Sequence, residues 1–240
     1  MSTSLLDGQV AIITGAAGGI GGAVAHELAE AGARLVLSDR DEAALGTLAD
    51  TLGAVAIAGD IADPALPELL LRTALDRYGR ADILHNNAGI MHVGGIDEID
   101  LDRVRLMLRV NVEAVIHGSY VFARHFKRQG RGFILNTSSV AGLKTGPRLA
   151  AYDASKFAVE AFTDALRMEL AGSGVRVAAI QPGTVDTKLY QGWGAADRDF
   201  VFSGGALAPA DIARCVRFIL EQPPHMTIPR LFAAPAAEPV

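Results

Sequence analysis

The stretch QVAIITGAAGGIG, residues 9–21, decides the fold of this chain. Its first six residues form a β-branched apolar run without alternation, which is typical of a strand buried on both faces of a parallel sheet. Glycines follow at once and lead into the helical pattern of residues 23–31, so they lie where a strand ends and a helix begins. The positive end of the helix dipole and the bare N–H groups there favour a pyrophosphate. The alternative is a turn whose glycines serve only tight packing.

Predicted strands and helices alternate through the rest of the chain. Strands are predicted at residues 34–38, 54–58, 81–86, 132–137 and 175–180, with a short edge strand at 226–229. Helices are predicted between them, at residues 42–52, 64–78, 101–128, 157–170 and 209–220. This order is typical of right-handed βαβ units. We therefore expect an α/β protein with a three-layer doubly wound Rossmann fold, a seven-stranded parallel sheet with helices on both faces, in one domain over residues 1–240.

Composition limits the classes of function. Half of the 240 residues are apolar and the net charge is −5 without a basic run, which argues against a nucleic-acid surface. Residues 1–8 carry no basic region followed by a long apolar run, and no uncharged apolar segment of 18 residues appears, so we expect a cytoplasmic protein with no membrane contact. The single cysteine, Cys215, is expected to be a packed thiol. The six histidines lack metal-ligand spacing, and no metal is expected.

Asp39 ends the second predicted strand, eighteen residues after Gly21. A carboxylate in this position can accept hydrogen bonds from the hydroxyl groups of an adenosine ribose and would repel a 2'-phosphate, which favours NAD over NADP. Two observations leave alternatives open. Asp39 or Asp41 could simply cap the next helix, and the guanidinium of Arg40 could hold a phosphate.

Polar residues also follow three other predicted strands, at the carboxyl edge where parallel sheets of this kind bind ligands. They are Asp60 with Ile61, the run Asn86, Asn87, Ala88 and Gly89, and the pair Ser138 and Ser139. A serine hydroxyl there can donate a hydrogen bond to a carbonyl oxygen. Ordinary turn chemistry is the alternative for the first two groups.

Tyr152 and Lys156 are i and i+4 neighbours on one predicted helix. A nearby ammonium lowers the pKa of a phenol, but bringing it from about 10 to about 7 needs about 4 kcal/mol, which is more than one exposed lysine supplies. A second positive charge, such as that of an oxidised nicotinamide, would complete the effect. The pair alone is also typical of an ordinary solvated helix face.

Asn111 is a polar amide within an apolar helical stretch and needs a partner there. A water-holding or backbone-bridging role and a simple structural hydrogen bond are both open. Residues 189–208 break both periodicities and carry Tyr190, Trp193, Phe200 and Phe202, which suggests a mobile aromatic lid or else an ordinary surface loop. The helices at about 101–128 and 151–171 have surplus apolar faces, so a homotetramer through them is expected. The Ala/Pro-rich end of the sequence is expected to fray.

From residue 8 to residue 228 the chain resembles the short-chain dehydrogenase/reductase family. TGAAGGIG (residues 14–21) fits the TGxxxGxG cofactor turn of that family, and NNAG (residues 86–89) fits its second motif. Ser139, Tyr152 and Lys156 fit its YxxxK-centred catalytic set, and the separation of thirteen residues from Tyr152 implies Ser139 rather than Ser138. The resemblance implies an NAD-dependent enzyme.

The resemblance also implies roles for individual residues. The expected catalytic residues are Asn111, Ser139, Tyr152 and Lys156. The expected cofactor-binding residues are Gly15, Gly18, Gly19, Ile20, Gly21, Asp39, Arg40, Asp60, Ile61, Asn87, Ala88, Gly89, Tyr152, Lys156, Pro182, Gly183, Val185 and Thr187. Thr184 would lie with the last four beside the nicotinamide.

The expected function is an alcohol dehydrogenase or carbonyl reductase that interconverts a secondary alcohol and a ketone with NAD, or less readily with NADP. Tyr152 would exchange the proton of the substrate hydroxyl, Ser139 would hold the substrate oxygen, and Lys156 would lower the pKa of Tyr152. Lys156 would also bind the nicotinamide ribose, and Asn111 would hold a water. The alternatives are a noncatalytic dinucleotide sensor and a sugar-nucleotide epimerase or dehydratase.

Overall fold

The structure, a computed structural model, describes residues 4–191 and 193–238. Seven parallel strands form one sheet in the order β3-β2-β1-β4-β5-β6-β7, which confirms the predicted Rossmann fold. The strands are β1 (Val10–Thr14), β2 (Arg34–Asp39), β3 (Val55–Ala58), β4 (Ile83–Asn86), β5 (Gly132–Thr137), β6 (Val175–Pro182) and β7 (Arg230–Ala233). The helices are α1 (Gly19–Glu30), α2 (Glu42–Leu52), α3 (Leu66–Tyr78), α4 (Leu101–Leu108), α5 (Ala114–Gln129), α6 (Ala150–Glu169), α7 (Ala195–Phe202) and α8 (Pro209–Leu220).

Two apolar cores hold the three layers together, one on each face of the sheet. Successive side chains of a strand point to opposite faces. Ile13 of β1 therefore packs with α1, α2 and α8, whereas Ile12 packs with α3, α5 and α6. Every residue of β1 is buried, while the edge strands β3 and β7 alternate between more and less exposed side chains. Because all seven strands are parallel, their carboxyl ends lie at one edge of the sheet, and β1, β4, β5 and β6 are neighbours there.

The prediction of one continuous helix over residues 101–128 is wrong for the middle of that range. A π-helical segment, Arg109–Glu113, separates α4 from α5. Wide turns of this kind occur mostly as single insertions in α-helices, often at functional sites. Asn111 lies in this segment, and its amide bonds to the backbone of Ile90 rather than remaining within the helix.

The last strand lies four residues later than expected, at Arg230–Ala233 instead of residues 226–229. Pro229 has no N–H to donate to a sheet. Its carbonyl accepts a hydrogen bond from Ala179 N, and Met226 belongs to a turn closed by its bond to Pro223 O. Regular pairing with β6 begins only at Arg230.

The lack of periodicity in residues 189–208 suggested an irregular segment, but part of this segment is helical. A 3₁₀ turn at Lys188–Tyr190 and the short helix α7 lie within the region. Eight residues are too few to show a clear helical period. Gly192 and the side chain of Phe200, both part of the expected lid, lie outside the described residues.

The expected fraying after β7 is wrong for residues 234–238, which pack against the loop that follows β6. The carboxylate of Glu238 accepts a hydrogen bond from Thr184 N. Pro235 is buried. Within residues 4–191 and 193–238, no helix has the length and apolar character needed to cross a membrane.

Candidate active site

Close backbone contacts build the glycine turn between β1 and α1. Gly15 has a φ of +65°, a conformation that favours glycine, and a Cβ there would lie 2.7 Å from Ala88 Cα. A Cβ on Gly21 would lie 2.2 Å from Gly15 O and 2.7 Å from the side chain of Asn87. The sequence therefore needs glycine at both positions for the turn to close against β4.

The turn leaves the amino end of α1 open. Gly18 is its N-cap and supplies no side-chain hydrogen bond, and the first turn of the helix has no acidic residue. Gly18 and Gly19 are exposed, and Ile20 is half-buried. Free N–H groups and the helix dipole at this end favour an anion, so the residues present fit the pyrophosphate of a dinucleotide.

Asp39 faces this turn. Its carboxylate accepts hydrogen bonds from Ala17 N and Asp41 N, both at 3.0 Å. The cap of α2 is instead Asp41, whose side chain accepts a bond from Ala44 N. The structure therefore assigns the capping role to Asp41 and leaves Asp39 at the end of β2 beside the turn. Arg40 is exposed.

Asn87 ties β4 to the turn. Its side-chain amide donates to Thr14 O at 3.0 Å and to Gly15 O at 3.1 Å, while the hydroxyl of Thr14 accepts bonds from Asn87 N and Ala88 N. Asn86 points the other way, into a buried network in which its amide donates to Ser119 and Asn136. The side chains of the two adjacent asparagines therefore make their hydrogen bonds on opposite faces of the sheet.

Asp60 and Ile61 follow β3, and the hydrogen bonds that the structure describes for Asp60 are local. The carboxylate of Asp60 accepts a hydrogen bond from Ala62 N at 2.9 Å, which is the turn chemistry that was the alternative at this position. Asp60 is exposed, and Ile61 packs in part against the core.

Tyr152 lies on α6 and is 7% exposed. Burial is the main influence on its pKa and raises it above the ordinary value, while an interaction with the Ser139 side chain lowers it. Ser139 is half-buried, and its hydroxyl also accepts a bond from Ala141 N. The neighbouring Ser138 is buried and has no hydrogen-bond partner for its hydroxyl among the described residues. Of the two serines, only Ser139 meets Tyr152.

Lys156 is buried one helical turn further along α6. Its ammonium donates to Thr137 O at 3.0 Å and lies 5.8 Å from the centre of the Tyr152 ring. Burial lowers the pKa of Lys156 to about 8, and the charge of Glu160 acts in the opposite direction. A Cβ on Gly89 would lie 3.8 Å from the Lys156 ammonium, so the end of the second glycine motif is near the same group.

Asn111 bridges backbone groups. Its side-chain oxygen accepts from Ile90 N and its amide donates to Ile90 O, both at 2.9 Å. The amide also reaches the hydroxyl of Ser155 at 3.2 Å, and Ser155 donates to Tyr152 O. Of the roles left open by the sequence, the structure shows backbone bridging: Asn111 links the loop after β4 to α6.

The loop after β6 completes the edge. Val185 is buried and pairs with Leu207, and the hydroxyl of Thr187 accepts a hydrogen bond from Leu189 N. A Cβ on Gly19 would lie 2.8 Å from the methyl group of Thr187, so this loop packs on the amino end of α1. Pro182 ends β6, and Gly183 N donates to Ala233 O.

Three supporting residues had no role assigned from the sequence. The Thr14 hydroxyl joins β1 to β4, the Ser155 hydroxyl links Asn111 to α6, and Glu238 reaches the loop after β6. Thr14 and Ser155 stand inside the glycine-turn and YxxxK motifs, which is a signal that could have found them. Glu238 gives no local signal, because it meets Thr184 only through the fold.

Within the described part of the chain, no group of three or more His, Cys, Asp or Glu residues could hold a metal ion. The sheet is parallel, a turn suited to an anion follows its first strand, and a tyrosine, a lysine and a serine lie at the same edge. This combination is that of a dinucleotide-dependent oxidoreductase.

Comparisons with known proteins give the family. The model of the short chain dehydrogenase family matches residues 9–198, and the chain belongs to that family of NAD(P)-dependent oxidoreductases. An uncharacterized oxidoreductase of Staphylococcus saprophyticus is 35% identical over 240 residues, covering 96% of this chain and 98% of the relative. An uncharacterized short-chain type dehydrogenase/reductase of Sinorhizobium fredii is 34% identical over 236 residues, covering 97% and 93%. The crystal structure of 3-ketoacyl-(acyl-carrier-protein) reductase from Brucella melitensis complexed with NADH has a TM-score of 0.88 at 34% identity, covering 97% of this chain and 99% of that chain.

Proposed function

We propose that the protein interconverts a secondary alcohol and a ketone, with Tyr152 as the general acid/base. The observation that carries this proposal is the meeting of Tyr152 with Ser139 beside the buried ammonium of Lys156, at the edge where the glycine turn lies. The nicotinamide of a bound dinucleotide would supply the hydride acceptor or donor.

Ser139, Tyr152, Lys156 and Asn111 would each have a separate role in the reaction. Ser139 donates a hydrogen bond to the substrate oxygen, and Tyr152 transfers a proton to or from the same atom. Because burial raises the pKa of Tyr152, the chain by itself keeps the phenol protonated, which suits donation to a ketone. Lys156 brings a positive charge beside the ring of Tyr152, and Asn111 joins the backbone of Ile90 to the Ser155 hydroxyl on α6.

NAD is the proposed cofactor in preference to NADP. The open amino end of α1 suits the pyrophosphate, and the Asp39 carboxylate, which accepts a hydrogen bond from Ala17 N of the turn, would accept hydrogen bonds from ribose hydroxyls. A 2'-phosphate would meet the negative charge of Asp39. The NADH complex of the Brucella melitensis reductase supports a nicotinamide dinucleotide.

For the substrate, we propose an apolar ketone or the corresponding secondary alcohol. Tyr190 forms edge contacts with Trp193 and Phe202 after β6, at the edge of the sheet where Ser139 follows β5, and this cluster would give the site an aromatic side. The name of the Brucella melitensis reductase adds 3-ketoacyl thioesters to the candidates, since a thioester of this type also presents a ketone. A panel of aliphatic and cyclic ketones, their alcohols and acetoacetyl thioesters, assayed with NADH or NAD, compares these groups.

Tyr152→Phe tests the assignment. The ring still packs without its hydroxyl, so turnover of the best substrate should fall by about 10²–10⁴-fold while the Kd for NADH changes less than about twofold. Tyr78→Phe is the matched control, because Tyr78 lies on α3 and its hydroxyl contacts Leu35 O, away from this edge. Wild-type turnover in Tyr152→Phe would contradict the proposal. NADH binding without turnover of any compound in the wild-type protein would favour the dinucleotide sensor.

We also propose that the chain forms a homotetramer through its apolar helix faces. Six large apolar side chains are exposed on α4, α5 and α6: Leu101, Leu106, Leu108, Tyr120, Phe157 and Met168. Exposed apolar surface of this kind is typical of subunit contacts. Light scattering coupled to size exclusion tests the proposal, since a mass near 25.1 kDa would be that of a monomer.

A further inference from the structure

Residues 234–238, the strap, lie on the loop that follows β6. Gly183 N donates a hydrogen bond to Ala233 O at 2.8 Å, and Thr184 N donates to Glu238 Oε2 at 2.9 Å. A Cβ on Gly183 would lie 2.5 Å from the same Glu238 oxygen. The carboxylate therefore lies directly against Gly183 and Thr184, two of the five residues that the family resemblance places beside the nicotinamide.

The strap also meets the end of the lid region. A Cβ on Gly204 would lie 3.0 Å from Glu238 Cα and 3.1 Å from Ala237 O. Leu207 N donates to Thr184 O at 2.9 Å, so the residues after α7 are bonded to the same loop. Glu238 thus lies between the loop after β6 and the segment that follows α7.

Tyr190 connects this junction to the catalytic tyrosine. Its hydroxyl interacts with the Thr184 side chain and the Val185 backbone, and its ring lies 5.3 Å from that of Trp193 and 5.2 Å from that of Phe202. Burial first, and then the charge of Glu238, raises the pKa of Tyr190 to about 12. The segments that follow β5 and β6 lie at the same edge of the sheet because these strands are parallel neighbours, and the Tyr190 phenol raises the pKa of Tyr152 across that edge.

We infer that Glu238 is a positioning residue: its hydrogen bond to Thr184 N holds the loop after β6 in the place that sets Tyr190 and its aromatic partners beside Tyr152. The contribution to catalysis rests on the proposed function, because Tyr190 can orient a substrate only if Tyr152 acts on one. The placement of the aromatic cluster itself does not depend on turnover.

Two substitutions separate the hydrogen bond of Glu238 from its negative charge. Glu238→Ala removes the acceptor, whereas Glu238→Gln keeps an oxygen that can accept from Thr184 N. Glu169→Ala is the control, since Glu169 is exposed at the end of α6. Trp193 is the single tryptophan of the chain and touches Tyr190, so quenching of its fluorescence by acrylamide reports the cluster directly.

In Glu238→Ala the quenching constant should rise about twofold, both in the protein alone and in the protein saturated with NAD. With the best ketone of the panel, KM should rise about tenfold while kcat stays within about twofold. Glu238→Gln should restore both quantities to within about twofold of wild type, and Glu169→Ala should leave them unchanged.

A lower melting temperature in Glu238→Ala with unchanged quenching and unchanged KM would assign Glu238 a structural role alone and overturn the inference. The inference also fails if Glu238→Gln behaves like Glu238→Ala, because the acceptor would then not be the property that matters. If the wild-type protein turns over no substrate, the proposed function fails, and the quenching constants alone still decide whether Glu238 places the cluster.

Discussion

The glycine turn after β1 and the lid region after β6 lie at the same edge of the sheet, yet they are held in different ways. In the turn, backbone meets backbone: a Cβ on Gly21 would lie 2.2 Å from Gly15 O, and Asn87 bonds to two carbonyls. In the lid region, ring edges around Tyr190 and the Glu238 carboxylate add to a few backbone hydrogen bonds, such as that from Leu207 N to Thr184 O. We therefore expect the turn to tolerate no added atom at Gly15 or Gly21, whereas an aromatic ring of the lid region should be replaceable by another apolar side chain.

The largest effect should come from Gly21→Ala. The new methyl group must displace the backbone of Gly15 or the side chain of Asn87, which moves the amino end of α1. We expect the Kd for NADH to rise at least about 100-fold, which is about 2.7 kcal/mol, and the free energy of unfolding to fall by about 1–3 kcal/mol. Fluorescence titration with NADH and urea unfolding measure the two quantities.

Gly46→Ala is the matched control. Gly46 lies inside α2, and a Cβ there would meet nothing within 4 Å. This variant should gain about 0.5–1 kcal/mol of stability from helix propensity and bind NADH as the wild type does. Unchanged NADH binding in Gly21→Ala would show that the turn is as adaptable as the lid region and would remove the contrast between them.

The side chain of His85, on β4, is buried, and this burial makes the stability of the fold sensitive to pH. Its ring lies 2.9 Å from the Thr137 hydroxyl, and burial lowers its pKa to about 3. The unfolded chain, with a histidine pKa of about 6.5, therefore binds more protons than the folded chain between about pH 3 and 6.5. Stability contributed by this group is present above pH 6.5 and is lost as the pH falls through that window.

Between pH 7 and 4.5, His85 should account for a loss of roughly 3 kcal/mol in the free energy of unfolding. His85→Gln should reduce the difference between urea unfolding at the two pH values by about that amount, whatever its stability at pH 7. His26→Gln, on the exposed face of α1, should leave the difference as in the wild type. An identical pH dependence in His85→Gln and the wild type would show that protonating the ring does not oppose folding.

A smaller effect is expected at Asp39, the residue proposed to bind the adenosine ribose. Asp39→Asn keeps the size of the side chain and removes the charge that opposes a 2'-phosphate, so the ratio of kcat/KM for NADH to that for NADPH should fall about 10-fold or more. Asp41→Asn removes a charge two residues away, and asparagine caps a helix as well as aspartate does, so cofactor preference and stability should both stay close to wild type. Equal use of both cofactors by the unmodified protein would contradict the role of Asp39.

The two regions also differ in how far the sequence predicts them. Backbone constraints leave a signature in one short stretch, and residues 9–21 were enough to place β1, the turn and α1. Tyr152 and Lys156 could be paired because helical spacing fixes their separation. The strap contact could not be predicted, because Glu238 and Thr184 are 54 residues apart and meet only when β7 pairs with β6. The π-helical segment at Asn111 was missed for a similar reason, because Ile90, the hydrogen-bond partner of Asn111, lies in the distant loop after β4.

The smallest effect should come from the lid region itself. Phe202→Leu removes the ring that lies 5.2 Å from Tyr190 and leaves an apolar side chain in its place. An aromatic pair of this kind contributes about 0.5–1.5 kcal/mol, so KM for the ketone should rise about 3–10-fold. The Kd for NADH should stay within about twofold, because no backbone of the turn moves. Phe218→Leu, at an exposed position on α8, is the control and should change neither quantity. A loss of NADH binding in Phe202→Leu as large as that in Gly21→Ala would mean that the two regions move as one unit, and side-chain contacts would then matter as much as the backbone.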